Sequence, residues 1–63
     1  MANSRKVMKI LVQIREWFTV DEGIISVEEV KIHAVASGLG CKWSEEDVVS
    51  AVRMLNRERG YNG

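Results

Sequence analysis

The sequence has few of the residues from which metal sites, disulfides and nucleophilic active sites are built. Its 63 residues include one cysteine, Cys41, and one histidine, His33. A zinc site needs about four ligands at recognisable spacings, and an internal disulfide needs two cysteines. A catalytic pair of Cys41 and His33 would have no visible third group to orient it. We therefore expect no metal, no cofactor and no enzymatic activity.

Neither sign of charge is in excess. Nine lysines and arginines balance nine aspartates and glutamates, so the chain has no overall field that would attract nucleic acid or a membrane surface. No apolar run approaches the roughly 20 residues of a transmembrane helix, and the start of the chain does not read as a signal peptide. We predict a cytoplasmic protein, complete from Met1 and folded as one small domain over residues 1–63.

The composition is that of a globular domain, with 46% hydrophobic residues, 29% charged residues and no proline. In the first segment, apolar residues recur at the three- and four-residue spacing of an amphipathic helix. This pattern predicts a helix from about Ser4, its expected cap, to Phe18. The apolar positions are Val7, Ile10, Leu11, Ile14, Trp17 and Phe18.

Two further helices begin with the same local pattern. Ser26 and Ser44 are expected N-caps. Glu29 follows Ser26 by three residues, and Asp47 follows Ser44 by three residues. The preceding apolar residues favour hydrophobic staples of Ile25 with Val30 and of Trp43 with Val48. Gly38 and Gly60 are expected to end these helices. The fold prediction is therefore an all-α, compact three-helix domain with a helix-turn-helix-like order and no wing.

The predicted helices carry more apolar residues than three narrow core stripes require. Core positions on the second and third helices are Val27, Val30, Ala34, Val48, Ala51, Val52 and Leu55. Five other apolar residues lie off these stripes, and we predict that they form a second apolar surface, either a partner contact or the seam of a weak homodimer. These are Met8, Val12, Ile32, Val49 and Met54.

The segment from Ser44 to Tyr61 resembles the third helix of winged-helix domains, which often ends in glycine and an aromatic residue. The resemblance implies a DNA-binding regulator as one alternative. A recognition helix presents its N-terminal residues to the bases, and here these are Glu45, Glu46 and Asp47. Acidic residues at that position oppose the attraction to phosphates that supplies most DNA affinity. Nucleic acid is therefore not the expected partner.

The first helix ends in an aliphatic residue, two charged residues and two adjacent aromatics: Ile14, Arg15, Glu16, Trp17 and Phe18. This segment resembles the PIP box, the peptide through which proteins bind the sliding clamp PCNA. That peptide reads Gln-x-x-aliphatic-x-x-aromatic-aromatic, and Leu11 stands here in place of the glutamine. The same residues also belong to the amphipathic stripe of the first helix. The alternative interpretation is that they are ordinary core residues of this domain.

The resemblance implies that Leu11, Ile14, Trp17 and Phe18 are the partner-binding residues and fill a hydrophobic pocket of the clamp. The length and composition of the chain also resemble those of small archaeal PCNA inhibitors. A protein without an attached enzyme would occupy the clamp and exclude polymerase, ligase and flap endonuclease. A generic protein–protein interaction module is the further alternative.

Overall fold

Three helices make up the structure. The computed structural model describes residues 3–18, 23–39 and 42–61. Helix α1 spans Ser4–Trp17, α2 spans Val27–Ala36 and α3 spans Glu45–Glu58. No strand occurs within the described ranges, and the predicted all-α three-helix fold is confirmed. None of the three helices is long and apolar enough to cross a lipid bilayer.

The starts of α2 and α3 are those that the sequence predicts. The Ser26 hydroxyl accepts the Glu29 N–H at 3.2 Å, and the Ser44 hydroxyl accepts the Asp47 N–H at 3.3 Å. Each bond satisfies one of the N–H groups that the first turn of a helix leaves without an intrahelical partner. The caps therefore follow from short-range chemistry that can be seen in the sequence.

The predicted cap of α1 is wrong by one residue. Asn3, not Ser4, is the N-cap, and its side-chain oxygen accepts the N–H groups of Arg5 at 3.0 Å and Lys6 at 3.2 Å. Asparagine is at least as good an N-cap as serine, so the earlier residue can take that position. Ser4 becomes the first residue of the helix.

Helices α2 and α3 end in the same way. Gly38 and Gly60 have φ values of 76° and 86°, a left-handed conformation that glycine adopts without the steric cost of a Cβ. The following N–H groups, of Leu39 and Tyr61, donate to the carbonyls of Ala34 and Asn56 at 2.8 Å. This is the Schellman arrangement, and the two predicted glycine ends are confirmed.

Helices α1 and α2 both pack against α3, and α1 makes the larger contact. The core is formed by the predicted stripes together with Ile25. Val27 and Trp17 are half-buried and pack on its edge. The buried apolar residues are Val7, Ile10, Leu11, Ile14, Phe18, Ile25, Val30, Ala34, Val48, Ala51, Val52 and Leu55.

Two buried polar side chains of α3 fasten the segments that precede the other two helices. Asn56 accepts the Ile25 N–H and donates to the Ile25 carbonyl, both at 3.1 Å. Asp47 accepts the Asn3 N–H at 2.9 Å. A buried polar group is tolerated when its hydrogen bonds are made, and here the bonds join residues distant in the chain. Helix α3 therefore sets the position of both helix starts.

Candidate functional site at the end of α1

The residues of the PIP-like segment lie mainly in the core of the domain. Leu11 is 1% exposed, Ile14 is 0% exposed and Phe18 is 4% exposed. Trp17 is half-buried and packs on the edge of the core. The core interpretation therefore accounts for three of the four residues in this conformation. Trp17 is the one residue of the four that reaches the surface.

Trp17 stands at the centre of an aromatic cluster that joins α1, α2 and the segment preceding α3. Its ring stacks on His33 of α2, with centroids 5.6 Å apart, and meets the ring of Trp43 at the same separation in a tilted arrangement. Phe18 meets His33 edge-on at 4.9 Å. Such geometries add about 0.5–1.5 kcal/mol per aromatic pair beyond area burial. The aromatic cluster, formed by Trp17, Phe18, His33 and Trp43, holds the end of α1 against α2.

His33 is a member of the site that sequence reasoning missed. The lone histidine was considered as a metal ligand or a catalytic base, yet its ring lies against two aromatic rings. The sequence signal for this contact is that His33 follows Val30 by three residues, which places the two side chains next to each other on the surface of α2. Within the described residues there is no group of three metal-binding side chains, and Cys41 lies outside them.

Surface polar contacts hold the same end of α1 on α3. Arg59 donates to the backbone carbonyl of Phe18. Arg15 forms an ion pair with Glu58, with its Nε donating to Glu58 Oε2 at 3.2 Å. Both side chains of this pair are more than two-fifths exposed, so the pair contributes little to stability. The end of α1 is therefore held chiefly by burial of Ile14 and Phe18.

The helix also ends without a glycine. Trp17 is its last residue, one before the predicted end, and Phe18 is extended with φ −119° and ψ 112°. The Phe18 N–H donates to the Ile14 carbonyl at 2.9 Å. Because Phe18 is buried and its carbonyl accepts Arg59, the chain leaves the helix in a direction set by tertiary contacts.

Two of the five off-stripe residues share a surface concavity. Met8 and Met54, 47% and 40% exposed, line a shared concavity of about 370 Å³ between α1 and α3. Val12 is exposed one turn after Met8, on the same face of α1. Ile32 is exposed on the side of α2 opposite Val30, and Val49 is half-buried. The structure thus brings together Met8 and Met54, with Val12 beside them.

The acidic first turn of α3 is bonded within the domain. The Asn3 N–H, and then the Ser44 hydroxyl, hold the pKa of the Asp47 carboxyl below its usual value. The hydrogen bond and the charge of Lys31 likewise lower the pKa of Glu45. Both carboxylates are therefore stabilised in the charged form. Glu45 is exposed and would meet DNA phosphates as an anion, whereas Asp47 is buried.

Comparisons of the chain with protein-family models, with curated proteins and with solved structures find no match.

Proposed function

We propose that this chain is a non-enzymatic binding protein that docks on an archaeal sliding clamp, PCNA, and excludes the clamp's clients. The observation that carries the proposal is the end of α1, where two adjacent aromatics follow Ile14 by one helical turn. Trp17 is already accessible there. The alternative of DNA binding gains no support from the acidic first turn of α3, whose Asp47 is turned inward to Asn3.

Burial of Ile14 and Phe18 places a condition on this proposal. A PIP-like peptide inserts its aliphatic residue and its aromatics into the clamp, so these side chains must first leave the core. Docking is therefore coupled to opening of the α1 end. If opening costs about 3 kcal/mol, the competent fraction is below about 1%, and the apparent affinity falls by the same factor of more than 100.

Two tryptophan variants test the proposal. Trp17→Ala removes an anchor of the motif, whereas Trp43→Ala removes its neighbour in the aromatic cluster and leaves the motif intact. Aromatic anchors at binding hot spots contribute about 2 kcal/mol or more, so Trp17→Ala should weaken clamp binding at least about thirtyfold. Trp43→Ala should bind as tightly as wild type, or more tightly because the closed form has lost a contact.

Binding is measured by calorimetric titration of a recombinant archaeal PCNA, and function by clamp-stimulated DNA synthesis. Wild type and Trp43→Ala should inhibit synthesis, and Trp17→Ala should not. Helix content by circular dichroism must be comparable in the two variants. Equal clamp binding by folded Trp17→Ala and wild type would reject the motif. The surface around Met8, Val12 and Met54 would then become the docking site to test.

A further inference from the structure

The lysines of this neutral chain are concentrated on one side of the domain. Three of its four lysines, Lys6, Lys9 and Lys42, line a groove together with Trp43. The fourth, Lys31, is paired with Glu45 elsewhere. None of the acidic residues within the described ranges lines this groove. Although the net charge of the chain is zero, this groove is locally positive.

The groove is built by two separate parts of the chain. Lys6 and Lys9 are one turn apart on α1, and Lys42 and Trp43 precede α3. Lys6 is close enough to Asp47 for its charge to help lower the pKa of that carboxyl. Within the described residues, no hydrogen bond or ion pair engages the ammonium groups of Lys9 or Lys42. Two of the three cations are thus available to a ligand.

The floor of the groove is apolar and aromatic. Trp43 is half-buried against the core and lies tilted against Trp17. The groove encloses about 240 Å³, below the usual size of a pocket for a drug-sized ligand but sufficient for one large apolar side chain. Three lysines lining the same groove as an aromatic side chain are complementary to an apolar side chain flanked by carboxylates.

We infer that this groove, lined by Lys6, Lys9, Lys42 and Trp43, binds an acidic protein segment that carries an exposed apolar side chain. The apolar side chain contacts Trp43, and carboxylates on either side of it meet the lysines. Single-stranded nucleic acid fits less well, because stacking of bases needs an open aromatic face and a longer track of cations. Trp43 is half-buried and packs against Trp17, and only three lysines line the groove. The inference does not depend on the clamp being a partner.

The test uses the full chain and short synthetic peptides. The probe has acidic residues on both sides of a central phenylalanine. One control peptide has alanine at the centre, and another has lysines in place of the acidic residues. Binding is followed by NMR shifts of the backbone amides and tryptophan indoles. The probe should shift the amides of Lys6, Lys9 and Lys42 and the indole of Trp43, more weakly at high salt. Both control peptides should bind at least fivefold more weakly.

A matched pair of charge reversals locates the site. Lys9→Glu and Arg53→Glu each replace an exposed helical cation by an anion, but only Lys9 lines the groove. Lys9→Glu should weaken probe binding at least about fivefold, and Arg53→Glu should leave it within about twofold. Equal effects of the two reversals, equal binding of all three peptides, or no shifts at the groove would overturn the inference. Tighter binding of oligothymidylate at the same residues would overturn it in favour of nucleic acid.

Discussion

The carboxyl ends of α1 and α3 lie close together but are built on different principles. Helix α3 ends at Glu58 and is terminated by Gly60, whose left-handed backbone and following hydrogen bond from Tyr61 to Asn56 are local to the chain. Helix α1 ends at an extended Phe18, which is held by burial and by Arg59 of the other helix end. The first end is fixed by its own backbone, and the second by its neighbours.

The difference bears directly on function. The hydrogen bonds of a glycine helix end are made within its own helix, whereas the contacts that fix the end of α1 come from neighbouring elements and are lost when those elements separate. The PIP-like segment lies at the end of the second kind. If it docks on a clamp, its release from α3 is the step that controls binding.

The strongest test of this difference is removal of the Phe18 ring. Phe18→Ala should lower the free energy of unfolding by about 3–5 kcal/mol, because the side chain is buried and leaves a cavity. For a domain of this size that is most of the stability. Urea unfolding followed by circular dichroism measures it. A loss below about 1 kcal/mol would show that Phe18 does not hold the α1 end.

Asn56 should come next in size, because it connects α3 to the start of α2. Asn56→Ala leaves the N–H and carbonyl of Ile25 without their partner, at about 1–3 kcal/mol for an unsatisfied buried group. Asn56→Asp keeps an acceptor for the Ile25 N–H but sets a buried carboxylate against the Ile25 carbonyl, so near neutral pH it should be at least as damaging as alanine. Thermal unfolding of the two variants provides the comparison, and stability equal to wild type in both would contradict the contact.

The glycine end should be more tolerant than the tertiary end. Gly60→Ala places a Cβ on a left-handed residue, which costs about 1–2 kcal/mol. Among the described residues other than its two chain neighbours, no atom lies within 4 Å of the added Cβ, so the loss comes from the backbone alone. Gly60→Asn should recover part of it, because asparagine tolerates this conformation better. A loss for Gly60→Ala as large as that of Phe18→Ala would remove the distinction between the two ends.

Asp47, in the first turn of α3, makes the stability of the domain depend on pH. The pKa of Asp47 is lower in the folded state than in the unfolded chain. The stability that its carboxylate contributes is therefore present above about pH 4 and is lost as pH falls through the folded pKa. Asp47→Asn should therefore be less stable than wild type near neutral pH, and the difference should shrink in acid. Urea midpoints at several pH values test this. A difference that stays constant into acid would show that the carboxylate charge does not stabilise the contact with Asn3.

The sequence predicts the local parts of this fold well. The caps at Ser26 and Ser44, the glycine ends and most of the buried stripe positions depend on residues within one or two turns of each other, and these are confirmed. The cap at Asn3 was missed because Ser4, equally suitable by type, follows it. Where two adjacent residues can cap a helix, position in the fold decides between them.

The long-range parts could not be predicted from spacing. The sequence places Asp47 three residues after the Ser44 cap, where its short side chain suits a capping box less well than Glu29, but its carboxylate accepts the N–H of Asn3, 44 residues away. The convergence of Lys6 and Lys9 with Lys42 depends on how α1 lies against the start of α3. Helical periodicity does identify Ile14 and Phe18 as apolar-face residues, and it cannot tell a core contact from a partner contact.

The central claim is that the end of α1 docks on a clamp when α3 releases it, and the clamp affinity of Leu55→Ala tests it most directly. Leu55 lies in the same core as Ile14 and Phe18 but outside the motif. Its truncation should lower stability by about 2–5 kcal/mol and thereby raise the open fraction. Calorimetric titration of PCNA should show binding tighter than wild type by up to about thirtyfold for each 2 kcal/mol of opening cost removed. Unchanged or weaker binding by this destabilised variant would contradict the account.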